Sequence, residues 1–130
     1  MGMATLLLVS ANAHAQSLNP DSAWSDVLSQ AQGQTVYFNA WGGSERINQY
    51  LQWASEELQD EYGVVLKHVK VGDIAEVVGQ LEAASLAGRD KEGNVDLMWV
   101  NGENFASLKA KGLLWGAFAD NLPNLSLIHI

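Results

Sequence analysis

Apolar residues follow two different periods along the middle of the chain. Apolar side chains at helical spacing predict four helices, over residues 23–32, 44–62, 73–86 and 103–111. Short runs rich in β-branched and aromatic residues predict three strands, over residues 35–39, 64–71 and 95–100. Glycine and asparagine residues separate these elements. The predicted order is therefore a helix followed by β-α-β-α-β-α.

Polar residues stand where three of the helices are expected to begin. Ser44, Asp73 and Asn101 each precede an apolar-periodic run, and such side chains accept hydrogen bonds from the free N–H groups of a first turn. Glu76 lies three residues after Asp73, which is the spacing of a capping box. Gly63 follows the second helix and predicts its end.

This alternation of strands and helices predicts the fold class. Strands and helices at this spacing favour parallel strands joined by right-handed crossovers, so we expect an α/β fold with a three-layer αβα arrangement and a mostly parallel sheet. A strand order of 2-1-3 places helices on both faces, because the chain steps one way from the first strand and then crosses back. The second strand alternates apolar and basic residues in its later half, which favours a sheet edge. Ligands bind such sheets outside the carboxyl ends of the first and third strands, here residues 39–45 and 101–104.

Composition narrows the chemistry that the chain can perform. Its 130 residues correspond to at most one domain. The formal net charge of −8 and the scattered positions of seven lysines and arginines argue against nucleic acid as a partner. Cysteine is absent, which excludes disulfides and thiolate chemistry. The histidines lack the spacing of a zinc site, so we expect no metal and no cofactor; they are His14, His68 and His129.

Both ends of the chain are expected to lie outside the fold. Residues 1–15 contain a short apolar stretch followed by Ala13-His14-Ala15, a small-x-small site, and predict a secretory signal peptide. Residues 125–130 read LSLIHI, the translation of a transposon mosaic-end adapter used in sequencing libraries. We therefore expect a non-native tail there, which leaves residues 16–124 as the folded segment.

The first candidate site is the segment after the first strand. Its residues are Ala40, Trp41, Gly42, Gly43 and Ser44. The glycines permit close approach of a ligand to the backbone, Trp41 offers a ring for stacking or a cation, and the helix start with Ser44 suits a small anion. The alternative, a strand-to-helix turn with a serine cap, remains open.

The second candidate site follows the third strand. Asn101, Gly102 and Glu103 stand at its expected carboxyl end, where the amide can hydrogen-bond a ligand and the carboxylate can meet a cation. A turn in which Asn101 caps the next helix is again the alternative.

The remaining aromatic and acidic residues are assigned to structure. Trp99 lies in an apolar strand and is expected in the core, and His68 is expected at the surface. Core or interface positions are expected for Trp24, Trp53 and Trp115. Glu45 and Glu103 could face each other as an acid–base pair, but no Ser/His/Asp or Cys/His set accompanies them. We therefore expect that the chain is not an enzyme.

Two segments together resemble a known family. The run VYFNAWGG over residues 36–43 with NQYL over 48–51 is similar to the opening of family 1 extracellular solute-binding proteins. The run DLMWVNGENF over 96–105 with KGLL over 111–114 resembles the third strand and following helix of the same family. The resemblance covers Ala23 to about Asn124 and is nearest to a proteobacterial, thiamine-transporter-like subgroup.

The resemblance implies a function for the chain. Members are two-lobed periplasmic receptors with a type II binding-protein fold, which capture a small solute and deliver it to ABC permease subunits in the inner membrane. This chain would be the N-terminal part of the first lobe. The family's ligand-contacting loops map onto residues 40–44 and 101–103. The alternatives are a self-contained flavodoxin-like interaction or cofactor module, which the export signal disfavours, and an exported enzyme.

Overall fold

A computed structural model describes residues 23–89, 91, 93–116, 118–119 and 122. The predicted signal peptide and the predicted adapter tail lie outside these residues. The helices are α1 Trp24–Ala31, α2 Glu45–Tyr62, α3 Ile74–Leu86 and α4 Gly102–Ala110, and the strands are β1 Thr35–Trp41, β2 Val65–Val71 and β3 Leu97–Met98.

The three strands form one sheet in the order β2-β1-β3. Both pairs are parallel, with Thr35 opposite Val65 at one end of the β1–β2 ladder and Trp41 opposite Val71 at the other. The β1–β3 ladder is shorter and pairs Asn39 with Met98. Helices flank this sheet, with α2 packed on β2 and α3 contacting β1 and α4. The predicted α/β class, the 2-1-3 order and the edge position of the second strand are thus confirmed.

Two strand boundaries differ from the prediction. The first strand continues to Trp41 instead of ending at Asn39, because β2 remains paired with it out to Val71. The third strand is two residues long instead of covering residues 95–100. The strand begins only at Leu97, and just before it the N–H of Tyr37 donates to the carboxylate of Asp96 (2.8 Å) rather than to a backbone carbonyl.

The predicted caps close the helices. Ser44 Oγ accepts from the N–H of Ile47 at 3.4 Å, and Asp73 Oδ1 accepts from the N–H of Ala75 at 2.9 Å. Gly63 ends α2 in the left-handed conformation, at φ 66°, which a residue with a side chain adopts only at a cost. These ends fix where α2 begins and where the chain turns into β2.

The core described by the structure is small. Its fully buried apolar residues are Ala40, Leu51, Val77, Val78 and Leu108. The prediction of a core position for Trp99 is wrong, because its side chain is 59% exposed. Of the core or interface positions expected for three other tryptophans, the core position is wrong and the interface position stays a prediction; Trp24, Trp53 and Trp115 are 45%, 52% and 61% exposed. A three-stranded sheet has a single central strand, so few side chains are covered on all sides.

One further property of the helices concerns membranes. Within the described ranges, no helix combines the length and the apolar character that crossing a bilayer requires.

The burial of Leu108 leads to a stability prediction. Leu108→Ala is expected to lower the free energy of unfolding by about 2–5 kcal/mol, because it leaves a cavity between α4 and its neighbours. Leu86→Ala removes the same atoms from a side chain that is 85% exposed, and should change it by less than about 0.5 kcal/mol. Urea denaturation measures both variants. Equal losses would contradict the assignment of Leu108 to the core.

Candidate functional site

The first candidate segment is fixed at the carboxyl end of β1. Ala40 and Trp41 belong to the strand itself, and Ala40 is 1% exposed, so its side chain packs beneath the surface. The N–H of Gly42 donates to the carbonyl of Val71 at 3.1 Å. The side-chain amide of Asn48 donates to the carbonyl of Gly42 at 2.9 Å. The turn from β1 into α2 is therefore held from both sides.

Trp41 folds back over its own loop. A Cβ built on Gly43 would lie 2.2 Å from Trp41 Cζ2 and 2.4 Å from Cε2, so the indole occupies the space that a side chain would need. Trp41 nevertheless remains 52% exposed. The ring therefore rests on the glycine and leaves much of its surface available for stacking or for a cation.

Gly42 likewise leaves room for a neighbouring side chain, here one from strand β2. A Cβ at this position would lie 2.7 Å from Cβ of Lys70, near the carboxyl end of β2. The stem of Lys70 thus passes close to the first loop. Sequence reasoning did not include Lys70 or Asn48 among the candidate site residues, because their contacts depend on the β1–β2 register and on the turn of the chain.

Ser44 has the capping role that the alternative interpretation assigns to it. Its Oγ accepts a hydrogen bond from the N–H of Ile47 at 3.4 Å, and its backbone carbonyl accepts one from the N–H of Asn48 at 3.0 Å. A hydroxyl keeps its own proton to donate, so the cap does not prevent Ser44 from contacting a ligand acceptor. The first turn of α2 contributes a partial positive charge at the same position.

The second candidate segment also contains the N-cap residue of the helix that follows it. Asn101, Gly102 and Glu103 are all exposed. Asn101 Oδ1 accepts from the N–H of Asn104 at 3.0 Å, which caps α4 as the alternative interpretation predicts. The amide nitrogen of Asn101 remains a donor, and Glu103 presents a carboxylate in the first turn.

The sheet brings the two segments to the same edge. β1 and β3 are parallel neighbours, and the N–H of Trp99 donates to the carbonyl of Asn39 at 3.0 Å. The chain reaches residues 41–44 two positions after Asn39, and residues 101–103 three positions after Met98. The predicted site residues therefore form an open shelf at the carboxyl ends of adjacent strands, with Ala40 beneath it.

A separate groove of about 410 Å³ runs between α2 and the edge strand β2. Leu51, Ser55 and Leu66 contribute to its lining, and Ser55 Oγ donates to the carbonyl of Leu66 at 2.8 Å. His68 borders the groove; it is half-buried, with Nε2 3.3 Å from the carbonyl of Ala40. The groove lies on the β2 side of the sheet, away from β3.

The acidic side chains of the two segments lie at the surface. Glu45 and Glu103 are exposed at the starts of α2 and α4. In the part of the chain that the structure describes, no three His, Asp or Glu side chains are grouped as a metal site requires. The two segments supply groups that can hydrogen-bond, stack and attract charge.

Comparison with known proteins gives one strong similarity. The chain is 48% identical over 103 residues to Protein YnjB of Escherichia coli (strain K12). The match covers 79% of this chain and 26% of YnjB, so the chain spans about a quarter of the length of this curated relative. Family models give no match, and no solved structure matches.

The contact between Trp41 and Gly43 can be tested. Gly43→Ala is expected to displace the indole, because the new methyl group would lie within 3 Å of three of its atoms. With fluorotryptophan incorporated at all five tryptophans, ¹⁹F NMR should show a shift of the Trp41 signal, assigned with Trp41→Phe. Gly102→Ala is the control, because nothing lies within 4 Å of its added Cβ. An unmoved Trp41 signal in Gly43→Ala would refute the contact.

Proposed function

We propose that this chain is part of the solute-binding component of an ABC importer. In this proposal residues 1–15 export the protein to the periplasm, where it captures a small solute and delivers it to permease subunits in the inner membrane. The observation that carries the proposal is the shelf formed by the Trp41–Ser44 and Asn101–Glu103 segments at the carboxyl ends of β1 and β3. The sequence resemblance to family 1 solute-binding proteins supports the same function and implies that the chain is part of the first lobe of a type II fold.

The shelf supplies chemistry for holding a small polar molecule. Trp41 offers a half-exposed ring, Ser44 and the first turn of α2 offer donors, and Glu103 offers a negative charge. A zwitterion, or an organic cation that carries phosphate, would use both kinds of group. Such a ligand matches the shelf better than a purely apolar one, because Asn101 and Glu103 are exposed beside the indole-bearing segment.

The binding-competent protein in this proposal is longer than the described chain. An open shelf leaves one side of a ligand in water, whereas a cleft that closes between two lobes buries most of the ligand surface. Closure also gives a permease two distinguishable states of the receptor. YnjB has about four times the matched length, which leaves room for a second lobe in a protein of that size.

A flavodoxin-like module is the second candidate. The parallel 2-1-3 order also occurs in that class, where FMN binds at the carboxyl edge of the sheet. The Gly43-Ser44 start of α2 would suit the phosphate of FMN. Titration with FMN distinguishes the two candidates, because tight binding with quenched flavin fluorescence would favour the module over the transport receptor.

The transport function is tested first by a thermal-shift screen of small solutes on the longer protein, including amino acids, polyamines and phosphorylated cations. A solute at 100-fold its Kd should stabilise the protein by about 2.7 kcal/mol, which raises its Tm measurably. Permease and ATPase genes beside the intact gene would support the function, and their absence together with an empty screen would contradict it.

Trp41 provides the residue-level test. Trp41→Ala is expected to weaken binding of the solute found in that screen by about tenfold, since a stacked or cation–π contact contributes roughly 1–2 kcal/mol. The lobe should stay folded, because the side chain is 52% exposed. Trp53→Ala is a matched control, as Trp53 is also 52% exposed but lies on α2 after its second turn. Isothermal titration calorimetry measures both, and unchanged affinity in Trp41→Ala would refute this role.

A further inference from the structure

Two side chains reinforce the join between β1 and β3. The N–H of Asp96 donates to the carbonyl of Tyr37 at 3.1 Å, and the Asp96 carboxylate accepts from the N–H of Tyr37 at 2.8 Å. The amide of Asn39 donates to the carbonyl of Asn94 at 2.9 Å. The paired residues of β3 are Leu97 and Met98, and backbone bonds from the N–H groups of Asp96 and Trp99 flank them. Two side-chain hydrogen bonds therefore add to the few backbone bonds that hold the third strand.

The burial of Asn39 shows that its bond is specific. Asn39 is 3% exposed, and it is the one fully buried polar side chain among the described residues. A buried amide without a partner costs free energy, so the chain is stable only in a register that offers it one. Asn94 lies 55 residues away in sequence and is exposed, so the bond ties a surface loop to the centre of the sheet.

The register of β3 determines where the second candidate segment lies. A slip of one residue would move Asn101 by about 3.3 Å along the strand direction and would turn the strand's side chains to the opposite face. A two-residue ladder resists such a slip weakly by itself. The contacts of Asn39 and Asp96 resist a one-residue slip, because it would turn the Asn94 carbonyl and the Asp96 side chain the opposite way.

We propose that Asn39 and Asp96 are positioning residues of the candidate site. They lock β3 against β1 and thereby fix the separation between the Trp41–Ser44 and Asn101–Glu103 segments. Neither side chain needs to touch a solute for this role. The consequence for solute affinity rests on the proposed function, whereas the fixed separation is a property of the chain alone.

The separation can be measured directly because the chain contains no cysteine. Nitroxide labels at Glu45→Cys and Glu103→Cys report it by electron paramagnetic resonance, since both residues are exposed and begin α2 and α4. The parent pair is expected to give one narrow distance distribution. Asp96→Ala and Asn39→Ala should each broaden or shift that distribution. Asp96→Asn keeps an acceptor oxygen for the N–H of Tyr37 and should restore the narrow distribution.

Ser55→Ala is the matched control. It removes a side-chain hydrogen bond of the same length, from Ser55 Oγ to the carbonyl of Leu66, at the α2–β2 contact. We expect a similar loss of stability with an unchanged label distance. An equal broadening in Ser55→Ala would overturn the proposal, because it would show general loosening rather than a lost register.

Two further results of the distance measurement also decide the proposal. A narrow, unshifted distribution in both Asp96→Ala and Asn39→Ala would overturn it. If Asn39→Ala does not fold, the Asp96→Ala and Asp96→Asn pair decides alone, because Asp96 is exposed and its loss leaves no cavity. The measurement needs no solute, so an empty solute screen would contradict the transport function without changing this result.

Discussion

The position of β1 between two parallel partners is the constraint on which the rest of the structure depends. β1 pairs along its whole length with β2 and, over two residues, with β3. It also contains Asn39 and Ala40, which are both almost completely buried. Because the strands are parallel, their carboxyl ends meet at one edge, and the segments that follow β1 and β3 emerge there together. The candidate site exists because of this pairing.

The two glycines of the first loop illustrate how closely that edge is packed. Neither is among the described glycines with positive φ, so neither is required by backbone conformation. Gly42 leaves room for the stem of Lys70, and Gly43 leaves room for the ring of Trp41. Side chains of this chain therefore fill the space beside both glycines. The exposed group at this edge is the indole of Trp41. A solute on this shelf would meet the indole before it met the backbone of Gly43.

The exposed aromatic side chains follow from the size of the sheet. With three strands, only β1 has a neighbour on each side, and the buried apolar set is short. Tyr50 and Trp53 pack against each other at 5.5 Å on α2, and both are more than half exposed. The chain spans about a quarter of the length of a relative that is 48% identical to it.

The sequence by itself determined the element order, the parallel 2-1-3 sheet and the caps Ser44 and Asp73, because periodicity and capping are local properties of neighbouring residues. For Asn101 it left the cap as one of two alternatives, and the structure shows the cap. It also placed both candidate segments at the correct sheet edge. Only the tertiary structure decided that β3 shrinks to two residues, that Trp99 is exposed and that Asn39 reaches Asn94. These features depend on contacts between residues as many as 59 positions apart, and on which faces have a neighbour, so no local pattern encodes them.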